Sequence, residues 1–231
     1  MPPSDPRFFQ EAWSIELASA PHLKFHRVEP TNRTLLATWG KLVARHSRSA
    51  QAPEGNEAAI AAQAAQAILT LSKRFNEAFT AHHVLDVLVE VDGQAAGRGA
   101  VVQIQEEPPL ANIGISLAPE ARGRGVGKAL MRVLLRLSNE VDVGIIQAGT
   151  MKENTAMRAL ARSLGLEETD EVKVAPGRGV VAEVLYKNIP REKWLDLEMD
   201  VSFLGPLEPV PIEEEVEIKD GKKAKEEIKD S

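Results

Sequence analysis

A short basic and glycine-rich segment, Arg122–Lys128, constrains the fold of this chain more than any other feature. It follows a mostly apolar strand pattern at Asn112–Leu117 and leads into an amphipathic helix pattern at Val126–Glu140. Glycine at every second position lets backbone N–H groups converge on a phosphate without obstruction by a Cβ atom. The helix N-terminus and the basic side chains add positive charge. The segment therefore predicts a strand–loop–helix unit that holds a diphosphate.

The glycine spacing separates this loop from two common nucleotide-binding loops. A Walker A loop needs GxxxxGK[ST], which the segment does not contain. Gly123, Gly125 and Gly127 give GxGxG, whereas the dinucleotide fingerprint is GxGxxG. Asp142 lies near the distance at which that fingerprint places an acidic ribose partner. An NAD or nucleotide enzyme therefore stays open as an alternative that the loop spacing disfavours.

Composition places the chain among ordinary globular proteins and excludes several functional classes. Of 231 residues, 43% are hydrophobic and 27% charged, which suits one sizeable core with extensions. The net charge of −6 argues against nucleic acid as a partner. The chain has no cysteine, which excludes disulfides, thiolate zinc sites and a cysteine nucleophile. No His, Asp or Glu cluster shows metal-ligand spacing, so we expect no metal.

Hydropathy predicts neither a membrane span nor a secretory signal. No run of about 18 apolar residues occurs, and Met1–Glu11 contains three prolines and no apolar core. We therefore expect a cytoplasmic protein that does not bind membranes.

Periodicity along the chain predicts an α+β fold, with a mixed but mostly antiparallel central sheet flanked by helices. Asp92-Gly93 is a strong hairpin signal between two of the early strands. The later elements follow a strand–helix–strand order, which implies one parallel crossover. The predicted strands are Leu23–Val28, Val87–Val91, Ala95–Gln105, Asn112–Leu117, Val141–Gly149, Leu166–Val174 and Gly179–Lys187, and the predicted helices are Leu35–Val43, Glu57–Phe79, Val126–Glu140 and Glu153–Leu164.

The same patterns divide the chain into a main domain at 21–190 and three flanking segments. Residues 1–20 are expected to be a loose leader with a short helix around Gln10–Leu17. Residues 191–212 contain several prolines and are expected to be extended. Residues 213–231 hold eight acidic residues and five lysines, too little apolar surface for a core, so we expect a disordered tail.

Two motifs in the chain resemble those of a known family, the Gcn5-related N-acetyltransferases (GNAT). Arg122-x-x-Gly125-x-Gly127 matches the signature R/Q-x-x-G-x-G/A, and Ile113–Gly127 is similar to that family's fourth strand and pyrophosphate loop. Further along, Asn154–Leu166 is similar to the family segment N-x-x-A-x-x-L-Y-x-x-x-G-F. The resemblance extends over about Leu23–Lys187 and is most specific at 111–166. It implies a GNAT fold, acetyl-CoA as co-substrate and an amine acceptor.

The resemblance also implies where the co-substrate lies. Backbone amides of the glycine loop bind the CoA pyrophosphate, the end of the preceding strand pairs with the pantetheine arm, and an asparagine before the next helix contacts the cofactor. The strands on either side of the loop splay apart to admit the arm. The positions that match here are Ile115, Ser116, Leu117, Arg122, Arg124, Gly125, Val126, Gly127, Lys128 and Asn154.

The catalytic residues do not follow from the resemblance. A tyrosine in the second motif often protonates the departing thiolate, but this chain has Ala161 there, and its one tyrosine is Tyr186. Since cysteine is absent, direct attack of the amine in a ternary complex is the natural scheme, helped by proximity. The general base is left unassigned; weak candidates are Glu90, Glu106, Glu107, His82 and His83, each of which can equally be an ordinary solvent-facing side chain.

Several alternatives remain open. A non-catalytic acyl-CoA-binding protein on the same fold is the second hypothesis, supported by Ala161. The acceptor is a small-molecule or peptide amine that the sequence does not identify. Trp194 and Phe203 can pack across the sheet or against a second copy in a homodimer.

Overall fold

The computed structural model describes residues 5–29, 31–46, 57–107, 109–141, 143–175, 179–190, 192 and 197–209. Within this part of the chain, α-helices lie between groups of strands that belong to one sheet. The helices are α1 (Arg7–Gln10), α2 (Arg33–His46), α3 (Glu57–Ala81), α4 (Val126–Glu140) and α5 (Thr155–Ser163). The strands are β1 (Glu11–Glu16), β2 (Leu23–Arg27), β3 (Val84–Val91), β4 (Gln94–Gln105), β5 (Leu110–Leu117), β6 (Ile145–Met151), β7 (Thr169–Ala175), β8 (Gly179–Tyr186) and β9 (Asp200–Pro206).

The strands form a nine-stranded sheet in the order β7-β8-β6-β5-β4-β3-β2-β1-β9. β5 and β6 are parallel, and the other pairings in the described sheet are antiparallel. The β3–β4 hairpin turns at Asp92-Gly93, where both residues have positive φ (50° and 77°), as a two-residue type I′ turn requires. The prediction of a mostly antiparallel sheet flanked by helices is confirmed.

α4 covers one face of the sheet and carries the crossover from β5 to β6. Its apolar side, with Leu130, Leu134 and Leu137, is fully buried in the main core. At Gly99 in β4, a Cβ atom would come within 2.7 Å of Leu134 Cδ1. The absence of a side chain at this position therefore lets α4 pack closely on β4, which fixes the height of the glycine loop above the sheet.

α2 and α3 cover the other face through a second, smaller core. Leu36, Trp39 and Leu42 of α2 pack with Leu71 of α3 and Leu88 of β3. A buried arginine adds to this layer: the Arg27 guanidinium donates to the backbone oxygen of Glu11 (2.9 Å) and lies 5.0 Å from the ring centroid of Phe75. The sheet is thus covered by helices on both sides.

The N-terminal segment corrects one sequence prediction. The helix expected around Gln10–Leu17 is wrong, because Glu11–Glu16 forms strand β1, paired with β2 and β9. Trp13 and Ile15 are buried, and the indole N–H of Trp13 donates to the backbone oxygen of Phe8 at 3.1 Å. Residues 5–20 therefore belong to the sheet and its core and are not a loose leader.

The C-terminal segment returns to the same edge of the sheet. Phe203 in β9 packs edge-on against Phe8, with ring centroids 5.3 Å apart, and the Arg7 guanidinium lies 4.2 Å from the Phe203 ring centroid. Phe203 therefore packs within its own chain. Trp194 and the acidic tail at 213–231 lie outside the described residues.

Candidate active site

The central feature of the site is the separation of two neighbouring parallel strands. β5 and β6 pair over Leu110–Ile113 and Ile145–Ala148. Beyond these residues, Gly114–Leu117 pairs with β4, and Gly149–Met151 pairs with β8. The two strands therefore diverge at their carboxyl ends and leave a gap in the sheet, as the resemblance implied.

A cavity of about 670 Å³ lies at this gap on the side of α4 and α5, and we call it the loop-side cavity. The end of β5, the glycine loop and α5 form its walls. Its lining residues include Ile115, Ser116, Leu117, Arg122, Gly123, Gly125, Gly127, Lys128, Thr150, Asn154, Met157 and Leu160.

The glycine loop presents free backbone donors to this cavity. Gly125 is the residue before α4 and adopts a left-handed conformation (φ 82°, ψ −12°), and no side chain caps the helix. The N–H groups of the first helical turn, from Val126 to Lys128, lack intrahelical acceptors. They therefore remain available to an anion at the positive end of the helix dipole.

Space at the loop matches a diphosphate. A Cβ atom built at Gly123 or at Gly125 meets no atom within 4 Å, so both glycines border open space. Arg122 is exposed, and its Nη2 donates to the backbone oxygen of Leu117 at 3.3 Å, which holds its charge beside the end of β5. Open space, backbone donors and nearby cations together fit the pyrophosphate of CoA.

Asn154 closes the cavity from the side of α5. Its Oδ1 accepts from the backbone N–H of Met157 (3.2 Å), and its Nδ2 donates to Thr150 Oγ1 (2.9 Å). The residue is therefore the N-cap of α5 and ties that helix to the diverging end of β6.

Most of the cofactor residues predicted from sequence meet in this one cavity. Arg124 is exposed and is not among its lining residues, and the side chain of Val126 is buried in the core. These two positions can contribute backbone groups at the loop, while the remaining predicted positions border the cavity directly.

A second cavity, of about 600 Å³, lies on the opposite face of the sheet, and we call it the far-side cavity. Gly114, Ile115, Ser116 and Gly149 line both cavities. The two cavities therefore meet at the gap between β5 and β6, one on each face of the sheet. The other residues that line the far-side cavity are Arg98, Gly99, Ala100, Val102, Asn112, Ile113, Gln147, Glu171, Glu183 and Leu185.

Strand register places charged residues on both sides of the gap between β5 and β6. On the β5 side of the gap, Arg98 of β4 pairs with Ser116 of β5. On the β6 side of the gap, Glu183 of β8 pairs both with Met151 of β6 and with Glu171 of β7. The last β5–β6 pair is Ile113 with Ala148, and Ser116 and Met151 each lie three residues beyond it. The residues named in these pairings therefore form one row across the sheet: Arg98, Ser116, Met151, Glu183 and Glu171.

The two glutamates of this row were missed by the sequence analysis. Carboxylates in a strand of alternating pattern are usually solvent-facing, and nothing in the local sequence sets these apart. Glu171 Oε2 forms an ion pair with Lys187 Nζ at 3.3 Å, and both side chains are nearly half exposed. The signal that identifies them is the register of β6, β8 and β7, which the sequence alone does not contain.

The base candidates proposed from sequence lie elsewhere. Glu90 is on β3, where its Oε2 lies 3.2 Å from His26 Nε2, and it lines neither cavity. Glu106 and Glu107 are exposed in the β4–β5 turn, at the opposite end of β5 from the gap.

The two candidate histidines are also remote from the gap. His82 and His83 precede β3, next to the end of β4, and the His82 ring stacks on Phe9 with centroids 4.8 Å apart. His83 borders a separate cavity beneath α3. Neither contacts the row of residues at the gap.

No phenol replaces the family's usual tyrosine among the residues described. Ala161 is fully buried in the core. Tyr186, the one tyrosine of the chain, is fully buried as well, and its hydroxyl donates to Glu168 Oε1 at 3.3 Å. Burial, followed by the negative charge of Glu168, raises the pKa of Tyr186 to about 12.

Comparison with known families agrees with this geometry. A sequence model described as the acetyltransferase (GNAT) family matches residues 48–166, which is 119 of the 231 residues. Curated protein sequences give no match. In the helices that the structure describes, we find no segment long and apolar enough to cross a membrane.

Solved structures show the same fold at low sequence identity. RimJ from Mycobacterium smegmatis, in complex with a CoA disulfide, superposes with a TM-score of 0.56 and 16% identity, over 76% of this chain and 86% of RimJ. A dodecameric spermidine N-acetyltransferase from Vibrio cholerae gives 0.55 and 18%, over 76% and 97%. The ribosomal-protein-S5-alanine acetyltransferase from Vibrio fischeri gives 0.53 and 16%, over 72% and 93%.

Proposed function

The chain belongs to the acetyltransferase (GNAT) family, and from this premise we propose that it transfers an acetyl group from acetyl-CoA directly to an amine that enters from the opposite face of the sheet. Acetyl-CoA is the co-substrate of this family and supplies an activated acetyl thioester. The observation that carries the proposal is the gap between β5 and β6, because two cavities meet there from opposite faces of the sheet.

Residues of the loop-side cavity would hold CoA. Backbone N–H groups at the start of α4 bind the pyrophosphate, and Arg122 and Lys128 add positive charge beside it. The end of β5, Ile115–Leu117, offers backbone groups on its unpaired side to the pantetheine arm. Asn154 supports this arrangement by fixing the start of α5.

The far-side cavity would hold the acceptor. An amine in it reaches the gap past Ser116 and Gly149, which line both cavities. Holding both reactants at one gap replaces a bimolecular encounter by a local one, worth about 7–11 kcal/mol at best. Since the chain has no cysteine to carry the acetyl group, transfer occurs in one ternary complex.

For the acceptor, we propose a chemical class, an amine. Among the structural neighbours, one protein is named for spermidine and another for an alanine of ribosomal protein S5. Spermidine is an amine, and the open far-side cavity accommodates a small amine or the end of a peptide.

The second candidate is a protein that binds acyl-CoA without catalysis. Ala161 at the usual tyrosine position, together with the buried Tyr186, favours it, because no phenol in the described part of the chain faces the gap. The two functions differ in turnover and not in binding.

Calorimetric titration with acetyl-CoA tests the shared first step. In Gly125→Asp, a side chain and a negative charge enter the open space of the loop, so we expect at least about a tenfold loss of affinity. Gly93→Asp is the matched control. Gly93 also has positive φ (77° against 82°) and an open Cβ position, but it lies in the β3–β4 turn and lines neither cavity.

Turnover then separates the two candidates. The unmodified protein is mixed with acetyl-CoA and a panel of polyamines, amino acids and short peptides, and release of free thiol is followed. Thiol release that depends on one class of amine supports the transferase. Binding without turnover for every amine favours the non-catalytic protein, and no binding of acetyl-CoA overturns both.

A further inference from the structure

We propose that Glu183 accepts the proton that the acceptor amine loses, a catalytic role that rests on the proposed acetyl transfer. Glu183 lines the far-side cavity together with Ser116 and Gly149, and those two residues also line the loop-side cavity. Its side chain therefore borders the space through which the amine reaches the thioester.

The wall of the far-side cavity offers few groups that can take a proton. The guanidinium of Arg98 keeps its charge at any physiological pH, and the amides of Asn112 and Gln147 do not titrate. Among the lining residues that the structure describes, the carboxylates of Glu171 and Glu183 remain. On the other side of the gap, Arg122 and Lys128 are cations with no proton acceptor.

Strand register favours Glu183 over Glu171. Glu183 pairs with Met151, which lies on the diverging end of β6 and therefore borders the gap. Glu171 is one strand further out, about 4.8 Å away. Glu183 is therefore the carboxylate nearer to the reacting nitrogen.

The proton balance of the reaction gives this carboxylate two roles. An alkylamine is mostly an ammonium ion at neutral pH, and Glu183 attracts it to the gap. Loss of the first proton frees the nitrogen lone pair, which forms the N–C bond to the acetyl carbon while the C–S bond breaks and its electron pair goes to sulfur. Of the two protons that the ammonium loses, one passes to Glu183 and then to solvent, and the other to the departing thiolate.

Replacement of the carboxylate tests the role. In Glu183→Gln, we expect kcat/KM for the best amine of the panel to fall by about 10²–10⁴-fold, the usual contribution of a positioned base. Acetyl-CoA affinity is expected to stay unchanged, which also shows that the variant is folded. Glu16→Gln makes the same chemical change at the exposed end of strand β1, far from the gap, and is expected to leave kcat/KM as it was.

Chemical rescue separates a base from a structural residue. In Glu183→Ala, added formate is expected to restore part of the lost kcat, because the small carboxylate occupies the space of the missing side chain. Rescue of this kind would not follow if Glu183 only supported the fold.

Each outcome decides between the proposals. If Glu171→Gln loses more kcat/KM than Glu183→Gln, or if Glu183→Gln is as active as the unmodified protein, the role of Glu183 is overturned and the transferase remains. If the unmodified protein binds acetyl-CoA but acetylates no amine, the transferase proposal fails, and the role of Glu183 fails with it.

Discussion

The hydroxyl of Tyr186 donates to Glu168 Oε1 at 3.3 Å, and this bond links β8 to the segment that follows α5. The same carboxylate pairs with Arg158 of α5, whose Nη2 lies 2.7 Å from Oε2. We predict that Tyr186→Phe lowers the free energy of unfolding by about 1 kcal/mol, the net value of one hydrogen bond, and leaves kcat within about twofold. Denaturant unfolding and thiol-release assays measure the two quantities. A hundredfold loss of kcat would instead make Tyr186 the acid of the reaction.

The same contact predicts an unusual alkaline titration. Burial and the charge of Glu168 raise the pKa of Tyr186 to about 12 in the folded protein, against about 10 in an unfolded chain. The stability that comes from this raised pKa is therefore complete below pH 10 and is lost as the pH rises to 12. Because the chain has one tyrosine, the absorbance of ionised phenol reports Tyr186 alone.

Two measurements check this titration. The absorbance midpoint of the folded protein is expected near 12 and that of the unfolded protein near 10. Between these values, the free energy of unfolding should fall more steeply for the unmodified protein than for Tyr186→Phe, which has no phenol. A folded-state midpoint near 10 would show that the hydroxyl is not buried against Glu168.

The loop-side half of the site could be predicted because it is contiguous in sequence. A strand, a glycine loop and a helix each leave a local pattern, and Gly125 shows the left-handed conformation that the loop requires. The diverging ends of β5 and β6 were expected from the family resemblance and not from the residues themselves.

The far-side half could not be predicted because it depends on long-range register. Arg98 and Glu183 face one cavity only after four strands, β4, β5, β6 and β8, pair with particular offsets. A similar cause explains the error at the N-terminus. Trp13 and Ile15 alternate as a strand does, but β9, one of the two strands that pair with β1, comes from the far end of the chain.

Asn154 provides a test of how the N-cap of α5 supports the loop-side cavity. In Asn154→Ala, both the bond to the Met157 N–H and the bond to Thr150 are lost, so we expect the free energy of unfolding to fall by about 0.5–2 kcal/mol. Asn154→Asp keeps the capping oxygen and should lose less. Thermal denaturation compares the variants, and equal losses in both would show that the cap contributes little.

Alanine substitutions at two glycines on neighbouring strands, Gly99 and Gly114, are expected to change stability and turnover independently of each other. At Gly99, a Cβ atom would lie 2.7 Å from Leu134 Cδ1 and 3.3 Å from the backbone oxygen of Gly114, and Leu134 is fully buried and cannot move aside freely. Gly99→Ala should therefore lower the free energy of unfolding by about 1–3 kcal/mol through overpacking beneath α4.

Gly114→Ala is the counterpart, because a Cβ atom there meets nothing within 4 Å and borders both cavities at the gap. Its added methyl group should leave stability unchanged or slightly higher, since alanine restricts the unfolded chain more than glycine does. Turnover should fall because the methyl group narrows the passage between the two cavities. Denaturant unfolding and thiol release are measured for both variants. If Gly114→Ala keeps full turnover, the amine does not pass Gly114, and the route through the gap must lie closer to Gly149.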